Sequence, residues 1–380
     1  MRRMLVVLSL AVGLSACAGG EGSAETAGQT GVEAKSRSAE PGKAATPDTA
    51  APAASNSPGI AQSAIAGVIA AFGEAPLVGI SEAHGMLDEH EFLNHLLHDA
   101  RFPQVVDDIV VEFGSARYQA IMDRYIAGEM VDERELQRAW LDTTQVFVWE
   151  SPIYAKFFAL VRAVNAQLPE NEKIRVLLGD PPIDWASVQS AKDYVEQANR
   201  NEHYANLVLN EVLDRGRSAL LIAGGAHLMR LPEKVRAQFP EGGPNETAYI
   251  EKRYPGSMFL IEVHYGQLAN NRSVEYRLLK GPVPSLTRLD GSWLENLKLG
   301  DQTLAAAFDA YLFLGPGESL RASHPDPSIY EDDGYFNELE RRWAILQEVR
   351  EAPTRPLARE DLMRPRPEGF LEWQELIGAG

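Results

Sequence analysis

The chain has 380 residues, of which 45% are hydrophobic and 24% charged, with one Cys and a net charge of −18. That composition is ordinary for a globular protein, and it excludes wholesale disorder, a collagen-like chain and a multi-span membrane protein. The single Cys excludes an intramolecular disulfide and a thiolate-rich metal site, and the acidic balance argues against a nucleic-acid partner, which needs a clustered basic face.

The first residues have the pattern of a lipoprotein export signal. Arg2 and Arg3 precede an apolar stretch over residues 5–14, which is too short to remain as a membrane-spanning helix. Residues 14–17 (Leu-Ser-Ala-Cys) resemble the bacterial lipobox, in which the peptide is cut before the Cys and the thiol is lipidated. We therefore expect a signal peptide over 1–16 and acyl chains such as palmitate on Cys17, at the outer membrane of a Gram-negative cell; an ordinary secretory signal is the alternative.

The segment that follows has a composition that cannot form a core. Residues 18–58 are mostly Ala, Gly, Ser, Thr and Pro, and Val32 is their only large aliphatic side chain. Burial of so little apolar surface cannot offset the entropy lost on ordering the chain. We predict a lipidated, disordered tether over 17–58, a folded domain over 59–351 and a C-terminal extension over 352–380.

The remainder alternates short β-rich runs with helical stretches. We predict strands at 77–81, 108–114, 174–180, 219–224, 258–265 and 310–314. We predict helices at 60–72, 88–101, 118–127, 133–140, 153–168, 188–215 (with a break near Asn201) and 335–350. This alternation predicts an α/β fold, in which a mostly parallel sheet has helices on both faces. The weakly periodic segment 266–304 and the tail after Ala352 are expected to wrap the surface.

Titratable residues stand at the carboxyl ends of these strands, the edge where open α/β sheets bind ligands. They are Glu82 and His84 after the first strand, Glu112 in the second, Asp180 ending the third, His227 after the fourth, and Glu262 and His264 in the fifth. Each alone could be structural. Their coincidence at successive strand ends favours one functional crevice at the C-terminal edge of the strands.

Two kinds of chemistry fit such a cluster. A divalent metal ion could be bound by oxygen and nitrogen ligands from Glu82, His84, Glu112 and His227. Without a metal, the carboxylates could raise the basicity of a His that deprotonates water. Serine-hydrolase chemistry is disfavoured, because Ser81 lacks the glycines that flank such a nucleophile.

The same residues resemble the ChaN/Tiki/erythromycin-esterase superfamily. The Ser-Glu-Ala-His run at 81–84, a second His at position 90, and the apolar strand ending in Glu112 resemble the motifs that open the family's domain. The strand ending in Asp180 and the Gly-Gly-Ala-His loop ending in His227 resemble later motifs. The resemblance departs at Ser81, where the family usually has Gly.

The resemblance implies either a hydrolase, with or without a metal, or a haem-binding lipoprotein. In a hydrolase, His84 would be the general base, and the carboxylates of Glu82 and Glu112 would orient it or hold a metal. His227 and Asp180 would then steady the developing oxyanion or complete the coordination shell. In a haem-binding protein, the crevice would receive a porphyrin with a Tyr or His as axial ligand, and His90 is the residue assigned to the cofactor.

The leading hypothesis is a membrane-anchored hydrolase that cleaves an ester, amide or peptide bond in a small-molecule or peptide substrate. The alternative is a lipoprotein that binds haem or an iron complex. A third hypothesis is a catalytically inactive envelope scaffold whose acidic surface engages basic partners. The residues alone leave the substrate open.

Overall fold

In the computed structural model of the protein, the described residues are 62–239, 243–268, 271–353 and 355–378. The predicted signal peptide, the lipidation site Cys17 and the tether lie outside these ranges. No helix within the ranges is both long enough and apolar enough to cross a membrane.

A single large sheet organises this part of the chain. The strands are β1 (Gln62–Ser63), β2 (Leu77–Ser81), β3 (Asp108–Ser115), β4 (Arg175–Asp180), β5 (Ala219–Ala223), β6 (Met258–Val263), β7 (Ser285–Arg288), β8 (Lys298–Leu299), β9 (Gln302–Thr303) and β10 (Ala310–Phe313). Strands β8 and β9 pair with each other outside the large sheet.

The sheet has eight strands in the order β1-β7-β10-β6-β2-β5-β3-β4. The strands from β10 to β4 run parallel, whereas β7 pairs antiparallel with both β10 and β1. Every residue of β2, β5 and β6 is buried, as expected for central strands covered on both faces. The predicted α/β fold with a mostly parallel sheet is therefore confirmed.

Helices connect the strands. They are α1 (Ala64–Ala71), α2 (Leu87–Leu97), α3 (Gln119–Ile126), α4 (Glu133–Leu141), α5 (Pro152–Asn165), α6 (Ala191–Gln197), α7 (Arg200–Glu211), α8 (Gly225–Leu228), α9 (Glu233–Arg236), α10 (Glu246–Arg253), α11 (Asn271–Leu278), α12 (Leu304–Ala307), α13 (Asp333–Val349), α14 (Arg359–Leu362) and α15 (Phe370–Gly378). The predicted helix over 188–215 is divided into α6 and α7, close to the expected break.

The helices cover both faces because successive residues of a strand point to opposite sides of the sheet. Val111 of β3 packs in an apolar cluster that includes Phe157 of α5. Its neighbour Val110 packs in a second cluster with Leu221 of β5 and Val208 of α7. The core thus consists of two apolar layers with the sheet between them.

The prediction that segment 266–304 only wraps the surface is wrong. Residues Ser285–Arg288 form β7, which lies inside the sheet between β10 and β1, and Leu286 and Thr287 are buried. Four residues are too few to show a clear period-two pattern, so this strand could not be predicted from the pattern of residues. The tail also enters the core, because Phe370 is fully buried in the same cluster as Val111.

Candidate active site

The strand register brings the predicted site residues to one edge of the sheet. Ser81 at the end of β2 pairs with Ala223 at the end of β5, and Val111 of β3 pairs with the residue before Ala223. Glu82 and Glu112 therefore leave neighbouring strands on either side of the turn that follows β5. The pairing of β3 with β4 is irregular just beyond Val111, and such bulges often re-aim side chains beside functional sites.

Glu82 and His84 form the first carboxylate–imidazole pair. Nδ1 of His84 is hydrogen-bonded to Oε2 of Glu82, whose side chain is completely buried. The other oxygen, Oε1, accepts a bond of 3.1 Å from the hydroxyl of Tyr154 and lies 3.4 Å from Nε2 of His90. These contacts fix the carboxylate, which in turn fixes the orientation of the His84 ring.

The far side of the His84 ring faces open space. The side chain is 38% exposed, and Nε2 has no hydrogen-bond partner among the described residues. One edge of the ring packs against Trp149, with the ring centroids 4.6 Å apart. On another side, a Cβ added at Gly224 would lie 3.2 Å from Cε1 and 3.4 Å from Nε2, so the absent side chain of Gly224 leaves room for the imidazole.

Burial and ion pairing oppose each other in this pair. Burial raises the pKa of Glu82, but the charge and hydrogen bond of His84 outweigh it and hold this pKa at about 2. Burial likewise lowers the pKa of His84, and the charge and hydrogen bond of Glu82 raise it above its usual range. The pair is therefore a carboxylate holding an imidazole whose basicity is increased.

Glu112 and His227 form a second pair, in which the imidazole is fully engaged. Nε2 of His227 lies 3.2 Å from Oε1 of Glu112, and Nδ1 lies 2.9 Å from both Oε2 of Glu246 and Oδ1 of Asn201. Oε2 of Glu112 accepts a bond of 2.6 Å from the backbone N–H of Gly224. Gly224 therefore lies between the two pairs, touching His84 on one side and Glu112 on the other.

Both members of the second pair are charged at neutral pH. Burial lowers the pKa of His227, but the charges of Glu246 and Glu112 outweigh it and raise this pKa to about 10. Burial raises the pKa of Glu112, yet the charges of His227 and Arg200 hold it well below its usual range. His227 is thus a cation with both N–H groups donated, and it cannot accept a proton.

Arg200 joins the second pair to Asp180. Its guanidinium bonds Oε1 of Glu112 through Nη2, and its Nε lies 3.3 Å from Oδ1 of Asp180. Asp180 also accepts bonds from the backbone N–H (2.7 Å) and hydroxyl (2.5 Å) of Thr144. Burial raises the pKa of Asp180 to about 6, and the Arg200 charge limits that rise. The predicted residues after β2, β3, β4 and β5 are therefore neighbours in one network.

Sequence reasoning missed Arg200, Glu246 and Trp149. Arg200 is the first residue of α7, and Glu246 is the first residue of α10, whose cap Asn245 accepts a 3.2 Å bond from the N–H of Ala248. Both begin helices on the sheet edge that holds the site. A signal existed for Arg200 in the helix break that the sequence places near it, but an Arg in a polar helix is indistinguishable from a surface residue.

Two imidazoles lie away from the crevice. His90, which the resemblance assigns to the cofactor, is 2% exposed and packs edge-on against Tyr154, behind Glu82. It belongs to the buried face of α2, where the helix packs on the sheet. His264 is fully buried, with Nδ1 2.6 Å from the Tyr311 hydroxyl and Nε2 2.9 Å from Glu275. It is a hydrogen-bonded core residue.

Two more buried acids surround the first pair. Oε2 of Glu89 accepts a 2.9 Å bond from the N–H of Ala83, and burial together with the Glu82 charge raises its pKa well above the usual range. Oε1 of Glu262 accepts a 2.9 Å bond from Gln267, and burial raises the pKa of Glu262 to about 7. The raised pKa of Glu89 favours its neutral form and so reduces repulsion between acids in this region.

The residues predicted as metal ligands do not fit a bound cation as they are arranged. The oxygens of Glu82 and Glu112 already accept hydrogen bonds, and both ring nitrogens of His227 are engaged by Glu112 and Glu246. Among the described residues, no group of three or more His, Cys, Asp and Glu side chains is placed to hold a metal ion. Only Nε2 of His84 remains as a free nitrogen donor in this set.

Comparison with known proteins gives similarity in three-dimensional structure alone. No protein-family model matches the chain, and no curated protein matches it. A solved succinoglycan biosynthesis protein is similar, with 12% identity, a TM-score of 0.48, and coverage of 67% of this chain and 90% of that chain. A mutant of the erythromycin esterase EreC in its open conformation has 12% identity, a TM-score of 0.46, and coverage of 65% and 92%.

The haem-bound ChaN of Campylobacter jejuni is also similar, with 13% identity, a TM-score of 0.35, and coverage of 54% of this chain and 87% of that chain. The proteins found to be similar thus include a ChaN and an erythromycin esterase, whose motifs the sequence resembles. One of these proteins is named for an esterase activity and the other for haem binding.

Proposed function

We propose that this protein is a hydrolase in which His84 acts as the general base on a water molecule. The observation that carries the proposal is the asymmetry of the His84 ring. Nδ1 is fixed by a buried carboxylate, while Nε2 has no hydrogen-bond partner among the described residues and the side chain is 38% exposed. A carboxylate that holds one nitrogen of an imidazole fixes its tautomer and stabilises the imidazolium that forms when the other nitrogen takes a proton.

The proposed reaction begins with water placed between Nε2 of His84 and the carbonyl carbon of an ester or amide. Nε2 takes a proton from the water as its oxygen bonds to the carbon, and the carbonyl oxygen becomes an oxyanion. When this intermediate collapses, the bond to the leaving group breaks and the His84 imidazolium returns the proton to the departing oxygen or nitrogen. Glu82 remains a carboxylate throughout, because its pKa is held at about 2.

Arg200 is the group best placed to stabilise the oxyanion. Its side chain is 18% exposed and is held by Glu112 and Asp180. It is close enough to His84 for its charge to lower the pKa of that imidazole. A cation fixed before the reaction stabilises developing negative charge without further reorganisation. In this proposal Glu112 and Asp180 are positioning residues that act through Arg200 and His227.

A panel of chromogenic esters and amides tests the proposal, with the wild-type protein compared with His84→Ala. We expect kcat/KM to fall by about 10³-fold, because a general base is removed. His95→Ala is the matched control, since His95 is exposed on α2, the helix that follows His84, and the activity of this variant should equal that of the wild type. Equal activity of His84→Ala and wild type on every hydrolysed substrate would remove the assignment of the base.

Haem binding is the second candidate, because the unbonded Nε2 of His84 is also the nitrogen that an iron could take as axial ligand. Hemin titration separates the two functions. A Soret shift that saturates at a fixed stoichiometry and is lost in His84→Ala would support haem binding. Ester or amide turnover with no Soret shift would support the hydrolase.

We also propose that the protein is tethered to the envelope through a lipid on Cys17. The support is the lipobox-like segment at 14–17 and the apolar stretch before it. Fractionation of cells that express the wild-type chain or Cys17→Ser tests this. The wild type should be found with membranes, and the variant should be soluble; the same distribution for both would contradict the anchor.

A further inference from the structure

We propose that a cavity lined by arginines between α4, α13 and the segment after β4 binds an organic phosphate. The cavity has a volume of about 550 Å³ and is open to solvent. That volume lies within the range of small-molecule binding sites, which is about 300–1,000 Å³. The charged side chains that line it are Arg134, Arg138, Arg341, Arg342, Asp142 and Glu338.

The charge of this cavity is opposite to that of the protein. Four guanidinium groups and two carboxylates give a local net charge of 4 − 2 = +2, whereas the whole chain carries −18. A phosphate monoester carries about −1.5 to −2 near pH 7, so one phosphate group matches the local excess. A neutral ligand would use none of this charge.

Arg341 and Arg342 are held in fixed positions and are paired with the two carboxylates of the cavity. Nη2 of Arg342 bonds Asp142 at 2.6 Å, and its Nε bonds Glu338 at 2.7 Å. Arg341 donates to the backbone oxygens of Val188 (2.6 Å) and Trp185 (2.7 Å). Both guanidinium groups are therefore held in place without a ligand, and they clamp α13 against the body of the protein.

Arg134 and Arg138 provide donors that are still available. They lie one turn apart on α4, so both side chains lie on the same side of that helix. Arg138 bonds Asp142 through Nε at 2.8 Å, and its two terminal nitrogens make no hydrogen bond within the described ranges. Arg134 is exposed and has no hydrogen bond or ion pair with any described residue. The guanidinium groups of Arg134 and Arg138 can both donate hydrogen bonds to the oxygens of one phosphate.

Calorimetric titration with glycerol phosphate at low salt tests the site in the full-length protein. We expect saturable binding to the wild type, weakened at least about tenfold in the double variant Arg134→Gln/Arg138→Gln, because charge-assisted bonds are lost. Arg124→Gln is the control, since Arg124 lies on the neighbouring helix α3 in an exposed ion pair with Glu129. Its affinity should equal that of the wild type.

Three outcomes would overturn the proposal: no saturable binding to the wild type, equal affinity in the double variant, or equal affinity for succinate, a dianion without phosphate geometry. The single variant Arg134→Gln keeps the test valid if the double variant is unstable, because Arg134 has no partner to lose among the described residues. Thermal melting of each variant checks that the fold is retained. Ester or amide activity is measured separately, so failure of the proposed hydrolase leaves this result unaffected.

Discussion

Two carboxylate–imidazole pairs lie on either side of Gly224, and they differ in how many partners each imidazole has. His84 has one acid partner, at Nδ1, and a side chain that is 38% exposed. His227 has acids at both ring nitrogens, Glu112 and Glu246, and is 20% exposed. In the sequence both are simply a His shortly after a buried strand.

The comparison shows that the number of acids around an imidazole decides what the imidazole can do. His84 is hydrogen-bonded to one acid, Glu82, which, with a smaller effect from the charge of Glu112, raises its pKa and leaves Nε2 able to exchange a proton. Two acids raise the pKa of His227 to about 10 and occupy both nitrogens, so this ring remains a cation that orders its neighbours. The same residue type is therefore suited to accept a proton in one pair and to act as a structural charge in the other.

Removing the acid of the first pair should have the largest effect. Glu82→Gln keeps the shape of the side chain but removes the charge that stabilises the His84 imidazolium, so kcat should fall by about 10³-fold. Steady-state kinetics on the substrate that the panel identifies measures this. Glu196→Gln, in an exposed ion pair with Lys192 on α6, is the control. A loss of less than tenfold would mean that Glu82 does not support the base.

The pH dependence of kcat/KM tests the pair of Glu82 and His84 further. The pKa of His84 is raised, and a base works only when unprotonated, so wild-type kcat/KM should rise with pH to a plateau above that raised pKa. In Glu82→Gln the largest cause of the upward shift is gone, so the rising limb should move to lower pH while the plateau drops. A rate that falls as pH increases through neutrality would show instead that His84 acts as an acid.

Arg200→Ala should have the next largest effect. It removes the proposed oxyanion cation and leaves Glu112 and Asp180 with less positive charge nearby, so kcat should fall by about 10²-fold. Arg200→Lys retains the charge but lacks the planar guanidinium that bonds both Glu112 and Asp180. It should therefore recover part of the rate. Arg215→Ala, in an exposed pair with Glu211, is the control. Full activity of Arg200→Ala would show that the oxyanion is stabilised elsewhere.

Glu246→Gln tests the second pair through stability. The pKa of His227 is raised from its ordinary 6.5 to about 10, so its contribution to folding is complete below pH 6.5 and is lost as pH rises through 10. The variant lacks the largest cause of that rise, so its free energy of unfolding should fall less than that of the wild type between pH 7 and 10. Urea denaturation at both values gives the difference. Identical decreases in the free energy of unfolding would argue against a charged His227. The activity of Glu246→Gln at pH 7 should differ from that of the wild type by about tenfold at most.

His90→Gln should have the smallest effect on catalysis. Its contact with Glu82 is 3.4 Å long, near the limit for a hydrogen bond, and Tyr154 still holds that carboxylate oxygen at 3.1 Å. We expect kcat to change by about threefold at most. A loss as large as that of Glu82→Gln would place His90 in the proton-transfer machinery. Melting temperature, measured in parallel, separates a packing defect from a catalytic one.

The fold could be predicted because its strands are continuous apolar runs with the acids and imidazoles at their ends. All six predicted strands agree with the structure to within two residues at each end. The geometry of a parallel sheet then brings residues such as Glu82 and Glu112 together without further information. What these predictions used was local: a buried strand and the polar residue that ends it.

The remaining site residues could not be predicted because their placement depends on packing between helices and the sheet. Arg200 and Glu246 lie in polar helices, and only the positions of α7 and α10 bring them to Glu112 and His227. His90 shows the opposite error. It follows His84 closely in the sequence, yet it is 2% exposed, because it shares a face of α2 with the buried apolar residues Leu93 and Leu97.

The order of the strands in the sheet also bears on when the site can form. The strand that carries His84 is completed only by neighbours from much later in the chain, because Leu77 pairs with Ala219 on one side and with Met258 on the other. Pairings so distant in sequence slow folding, since a long loop must close before any contact is gained. During synthesis, His84 therefore emerges long before the strands that flank β2 exist, and the proposed activity should appear only after β5 and β6 have been made.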